Sequence, residues 1–161
     1  MIEDPRIVET SSLPAAVIRL TIPRKRMREE FPKALRELMG VLERQGLAPA
    51  GPVFAHHLAR PSEVFDFELG VPVEKGCSAE GRVEPGELPA ATVVRTVHHG
   101  GYEGLPDAWA ELIRRSPEVT EPAGLTRGDT FWEVYVAGPE TSPDAAAWRT
   151  ELNVPLRALP R

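Results

Sequence analysis

One cysteine, Cys77, is all the sequence contains, so no internal disulfide can form and an oxidising compartment is not implied. Cys77 sits in a Gly- and Glu-rich stretch and reads as a bystander thiol. Basic excess is lacking too. Against 24 Asp and Glu stand 19 Lys and Arg, a net charge of -5, which argues against a nucleic-acid footprint. The one basic run, Arg24 to Glu29 ("RKRMRE"), precedes an amphipathic segment and reads as a solvated helix start. No apolar stretch approaches membrane-spanning length, and "MIEDPRIVET" lacks the basic-then-apolar pattern of a signal peptide. A cytoplasmic chain with neither membrane nor direct nucleic-acid contact is expected.

Signatures of familiar chemistry are equally scarce. There is no Gly-x-Ser-x-Gly elbow or Cys/His pairing, so standard nucleophilic hydrolysis is unsupported. His56-His57 and His98-His99 invite a metal reading. Adjacent strand residues point to opposite faces, however, and no HExxH-type spacing accompanies them. They read as polar strand or turn residues, with no metal expected. "HHGGYEGL" (His98 to Leu105) places a Gly pair before a helix, a setting that can cradle an anion. It lacks the Lys-Ser/Thr of a phosphate loop, and a strand-to-helix turn accounts for it.

What the sequence does have is order. The apolar fraction of 42% is ordinary for a globular domain, and 17 prolines and 13 glycines fall between periodic segments as turn punctuation. Strands are predicted at Ala15 to Thr21, Val53 to Ala59 and Val64 to Val73, with a helix from about Met27 to Gln45. The pattern then returns. "LPAATVVRTV" mirrors "LPAAVIRLTI", "LPDAWAELI" mirrors "FPKALRELM", "FWEVY" stands where "VFAHH" stood, and "TELNVPL" echoes "FELGVPV". The expectation is one α+β domain over residues 1–161. It is built of duplicated β-α-β-β units (about 5–75 and about 83–157) with pseudo-two-fold symmetry, helices against an antiparallel sheet, and Glu74 to Glu87 as linker. A pocket is expected between the two repeats.

The segment "TFWEVYVAG" carries the functional signal, because its central residue is a carboxylate. Strand alternation puts Thr130, Trp132, Val134 and Val136 on one face, expected to be core under a helix. Phe131, Glu133, Tyr135 and Ala137 take the other. An acid between two aromatics suits an apolar pocket with one orienting group, and it attracts cations. Aligning the repeats adds Ala55 and His57 to the same site, Ala55 opposite Glu133 and leaving room for a ligand. Tyr102 is expected at the pocket mouth and Trp148 on its wall, while Trp109, at helical spacing with Leu105 and Leu112, is assigned to the core.

Taken together, "FELGVPV", "PGELPAATVVRTVHHGGYEGLPDAWAEL", "FWEVYVAGP" and "WRTELNVPL" make the chain resemble the GyrI-like small-molecule-binding family over about residues 5–157. That family also supplies the effector-binding domain of AraC-type and MerR-type transcription regulators. The resemblance implies an apolar pocket for hydrophobic, often cationic, compounds, with no cofactor. Glu133 would be its ligand-contacting carboxylate, and Tyr135, Tyr102 and Trp148 its aromatic residues. Some stand-alone members resemble hydrolases of cyclopropane-bearing genotoxins, which would make Glu133 and Tyr102 catalytic here. Others modulate gyrase. No room is seen for a helix-turn-helix domain, so a stand-alone binding protein, with a protein partner such as gyrase or a regulator as a further option, is the expectation. Binding is favoured over hydrolysis.

Overall fold

The computed structural model describes residues 1–160. The chain divides into two compact units, Ser11–Ala90 on one side and Met1–Thr10 with Ala91–Arg161 on the other. All strand pairings within them are antiparallel, and the fold is of the α+β class.

In Ser11–Ala90, β2 (Leu13–Pro23) leads into α1 (Met27–Arg44), which ends before Gly46 in the left-handed region. β3 (Phe54–His57), β4 (Val64–Pro72) and β5 (Val83–Leu88) follow, in the sheet order β3-β4-β2-β5. Helix α1 turns Ala34, Leu38, Val41 and Leu42 inward, an apolar stripe at helical spacing. The stretch expected to be linker is in part strand. β5 pairs with β2 from Leu13↔Leu88 to Ile18↔Val83. Pro85 and Gly86 hid it, since both weaken a strand pattern and are tolerated on an edge strand, where one side of the backbone is free.

In the other unit, β1 (Arg6–Glu9), β6 (Thr92–His99), β9 (Arg149–Ala158) and β8 (Phe131–Ala137) are neighbours in that order. β7 (Leu125–Arg127) pairs with the end of β9. Between β6 and β7 run α2 (Leu105–Arg115) and the short α3 (Pro117–Thr120). Ala108 and Leu112 of α2 are buried with Ile2, Val94, Leu152 and Val154, and Phe131 and Trp109 pack against that cluster. β1 had no counterpart in the predicted elements, four residues being too short for a periodicity to show.

That cluster corrects the expected facing of β8. Glu133 lies opposite Leu152, and residues directly across an antiparallel pair share a face. Helix α2 therefore covers the Glu133 face. Trp132, on the other side, is core, at 1% exposure, but Val136, where the register shifts between Tyr135 and Ala137, is 48% exposed. Beside Trp132 that side carries a polar group in which Arg95 Nε donates to Asn153 Oδ1 at 2.7 Å and Arg95 pairs with Glu151 at 3.3 Å.

Candidate functional site

Two cross-strand rows build the site floor. Glu133 on β8 stands opposite Leu152 on β9, itself opposite Thr96 on β6. One step along, Tyr135, Thr150 and His98 form a second row on the same face. Helix α2 lowers Trp109 onto the first row. The Trp109 ring meets Phe131 edge-to-face with centroids 4.7 Å apart, a geometry that matches ring edge to ring face.

Both oxygens of Glu133 are occupied. Trp109 Nε1 donates to Oε2 at 2.7 Å, and the Tyr135 hydroxyl donates to Oε1 at 2.9 Å. Among the described residues no basic side chain forms an ion pair with Glu133. The residue keeps part of its surface open, yet the carboxylate is surrounded by protein, and that enclosure governs its proton affinity. Desolvation raises the Glu133 pKa, opposed by the two hydrogen bonds and by His98. Tyr135 is raised well above its ordinary value by desolvation and by the neighbouring carboxylate.

An aromatic group continues from Tyr135. Tyr102, in a 3-10 turn at Tyr102–Gly104, meets Tyr135 edge-on at 5.7 Å and tilts against Trp148 at 5.0 Å. Trp148 is fixed by its Nε1 donating to the Ser142 carbonyl at 2.9 Å. A Cβ on Gly138 would stand 2.5 Å from the Tyr102 hydroxyl oxygen, so the bare backbone there gives that oxygen its place. Tyr102 is pushed up by desolvation and by Glu140 and Glu133.

Of the residues anticipated from sequence, Phe131, Glu133, Tyr135, Tyr102 and Trp148 thus come together in one unit. His57 and Ala55 lie on β3 in the other. There Ala55 is fully buried, and the His57 ring stacks on Phe67 at 5.0 Å and meets Phe65 edge-on at 5.6 Å. Burial first, then His56, pushes the His57 pKa down to about 4 against the pull of Asp66. Trp109, assigned to the core by its spacing, is also a partner of Glu133. The signal that identifies it is its indole N–H, which a core position must satisfy with an acceptor. His98, read from sequence as a polar strand or turn residue, is in β6 and buried in the floor.

Among the described residues, no three His, Cys, Asp or Glu are grouped to hold a metal, and no helix is long and apolar enough to cross a membrane. Antiparallel strands with a helix packed on them in each unit, and a carboxylate held among aromatic rings, are compatible with a small-molecule-binding domain of the α+β class. The model of the GyrI-like small molecule binding domain matches residues 3–157, and the chain belongs to that family.

Solved structures agree on the fold. The crystal structure of the EcmrR C-terminal domain superposes with a TM-score of 0.81 at 22% identity, covering 97% of this chain and 98% of that one. Against EcmrR in its DNA complex the TM-score is 0.80 at 21% identity, and this chain, 98% covered, spans 58% of that one. SAV2435 bound to tetraphenylphosphonium gives 0.67 at 10% identity, covering 96% of this chain and 94% of that one. Comparison with curated protein sequences finds no match.

Proposed function

We propose that the Glu133 site binds amphipathic, cationic small molecules. The observation that carries this reading is a desolvated carboxylate whose two oxygens accept only from neutral donors, Trp109 and Tyr135. A buried charge without a counter-charge is unfavourable, and a cationic ligand supplies the missing charge. The rings of Tyr102, Tyr135 and Trp148 supply flat apolar area and cation–π attraction for the rest of such a molecule. That a structural neighbour binds tetraphenylphosphonium supports the same ligand class. Titration with tetraphenylphosphonium or a fluorescent rhodamine tests it. Glu133→Gln, which keeps the shape and removes the charge, is expected to lose at least about tenfold in affinity, in line with loss of a desolvated charge pair. Equal binding by the variant refutes the role of the carboxylate.

One observation favours hydrolysis as a second reading. The Tyr135 hydroxyl lies 2.9 Å from Glu133 Oε1, which places a proton-bearing group beside a potential base, with Tyr102 next to it. A neighbour of 13% identity and TM-score 0.68, covering 96% of this chain and 92% of that one, is a hydrolase from Listeria innocua. Turnover of a cyclopropane-bearing electrophile, abolished by Glu133→Gln, is the expected result if this holds. Stoichiometric binding with no product rules it out.

A further inference from the structure

The row Tyr135–Thr150–His98 contains two buried polar atoms that no described residue satisfies. Thr150 is 0% and His98 3% exposed, and among the described residues neither Thr150 Oγ1 nor His98 Nδ1 has a hydrogen-bond partner. Buried polar atoms are almost always paired, so two on adjacent strands, on the ligand-facing side, call for a partner. The other edge of the imidazole is fully committed. Nε2 lies 3.0 Å from the Gly101 carbonyl, which only accepts, so Nε2 carries the proton. The turn closes tightly on that edge, since a Cβ on Gly104 would come within 2.9 Å of the ring. The backbone of "HHGG" and of the turn after it thus fits closely around His98. In the neutral ring Nδ1 is then left as a pure acceptor, next in row to a hydroxyl that both gives and accepts.

Resting on the cation reading above, we infer that Thr150 Oγ1 and His98 Nδ1 form a polar seat in the floor of the Glu133 site, which takes a hydroxyl or N–H group carried by the cationic ligand. The ligand's donor hydrogen bonds to Nδ1, and its oxygen or nitrogen lone pair accepts from Thr150. Glu133 holds the positive charge one row away. The preferred ligand class is therefore an aromatic cation with a short hydroxyl or amine arm, not a purely hydrocarbon one. Tyr102 is the side chain that gives way to admit it: it is 36% exposed, its hydroxyl makes no hydrogen bond among the described residues, and its ring rests against Tyr135 and Trp148.

The test uses the full chain and two probes of matched size, triphenyl(propyl)phosphonium and (2-hydroxyethyl)triphenylphosphonium, with affinities measured by calorimetry. The parent is expected to prefer the hydroxyethyl probe by about three- to tenfold, the range of one neutral hydrogen bond. Thr150→Val, which keeps the shape and removes the hydroxyl, is expected to abolish that preference while still binding the propyl probe. Glu133→Gln is expected to weaken both probes and leave their ratio unchanged. Equal affinity of the parent for both probes, or a preference that survives in Thr150→Val, overturns the seat and leaves the cation reading standing. Failure of the parent to bind either probe removes the cation reading, and the seat with it.

Discussion

On the proposed cation reading, Glu133 is expected to couple ligand binding to protons. Its pKa is raised in the folded protein, so the folded state holds that proton more tightly than the unfolded chain does. Its contribution to stability is accordingly greatest below the ordinary carboxylate range and is lost as pH rises through the raised value. A cation has the opposite preference and selects the ionised form. Affinity is expected to fall as pH drops through that raised pKa, and binding in the same window is expected to release a proton. Calorimetry in two buffers of different ionisation heat measures the release, which disappears in Glu133→Gln. Trp109→Phe keeps the ring and deletes one of the two donors. The pH at half-maximal affinity is expected to move upward, and affinity near neutrality to fall by about tenfold, as for a hydrogen bond to a charged group. An unmoved pH midpoint would show that Trp109 acts by packing alone. At this scale the sequence exposed the oddity of an acid between Phe131 and Tyr135, but not its partner on α2, because helical spacing fixes a face and not the acceptor of an indole N–H.

Helix α2 is the element on which the site depends. Leu112 is fully buried in the cluster that seats it, and Leu112→Ala is expected to cost about 2–5 kcal/mol of stability, read by denaturant unfolding. Gly138→Ala separates position from stability. The added methyl meets the far ends of two flexible side chains, Tyr102 and Glu140, so stability is expected to change by less than about 0.5 kcal/mol. Cation affinity is expected to change, because the Tyr102 ring must leave its contacts with Tyr135 and Trp148. An unchanged affinity would remove Tyr102 from the site. The elements themselves were largely legible, from the stripe Leu38–Leu42 in α1 to the alternation in β8. Which face of β8 the helix covers was not. One strand's alternation defines two faces, but the neighbours that decide between them, Leu152 on one side and Asn153 with Glu151 on the other, come from a strand distant in sequence.

Across the whole molecule, acid stability is expected to be set in part by the unit that lacks Glu133. The His57 pKa of about 4 lies below that of the unfolded chain. Its contribution is therefore fully present above about pH 6.5 and is lost as pH falls toward 4, a change of about 3 kcal/mol for a shift of that size. His57→Leu is expected to flatten the stability profile between those limits, as read by urea midpoints. An unchanged slope would assign acid sensitivity to other groups.

The two units also report differently. Trp109, Trp132 and Trp148 are the three tryptophans of the chain, and all lie in the unit formed by Met1–Thr10 and Ala91–Arg161. Between those two segments the chain passes once through Ser11–Ala90, leaving and returning side by side. Thr10 N donates to the Ala91 carbonyl at 2.8 Å, and Ala91 N donates to Thr10 Oγ1 at 3.0 Å. In chain terms, β1 and β6 are the arms of a hairpin whose turn has been replaced by a folded body. Closing a flexible loop of that length costs about 4 kcal/mol in lost chain entropy. Once Ser11–Ala90 is folded, its ends are already together, Ser12 reaching Glu87 at 2.6 Å, and most of that cost has been met. The site-bearing unit thus gains stability from a segment that contributes none of the residues hydrogen-bonded to Glu133. Leu38→Ala, on the buried face of α1, is expected to lower the midpoint seen by tryptophan fluorescence even though no tryptophan shares its unit. The gain runs through the connecting backbone, so cutting the chain within Ser11–Ala90 and letting that body unfold should leave β1 to find β6 as a separate strand would.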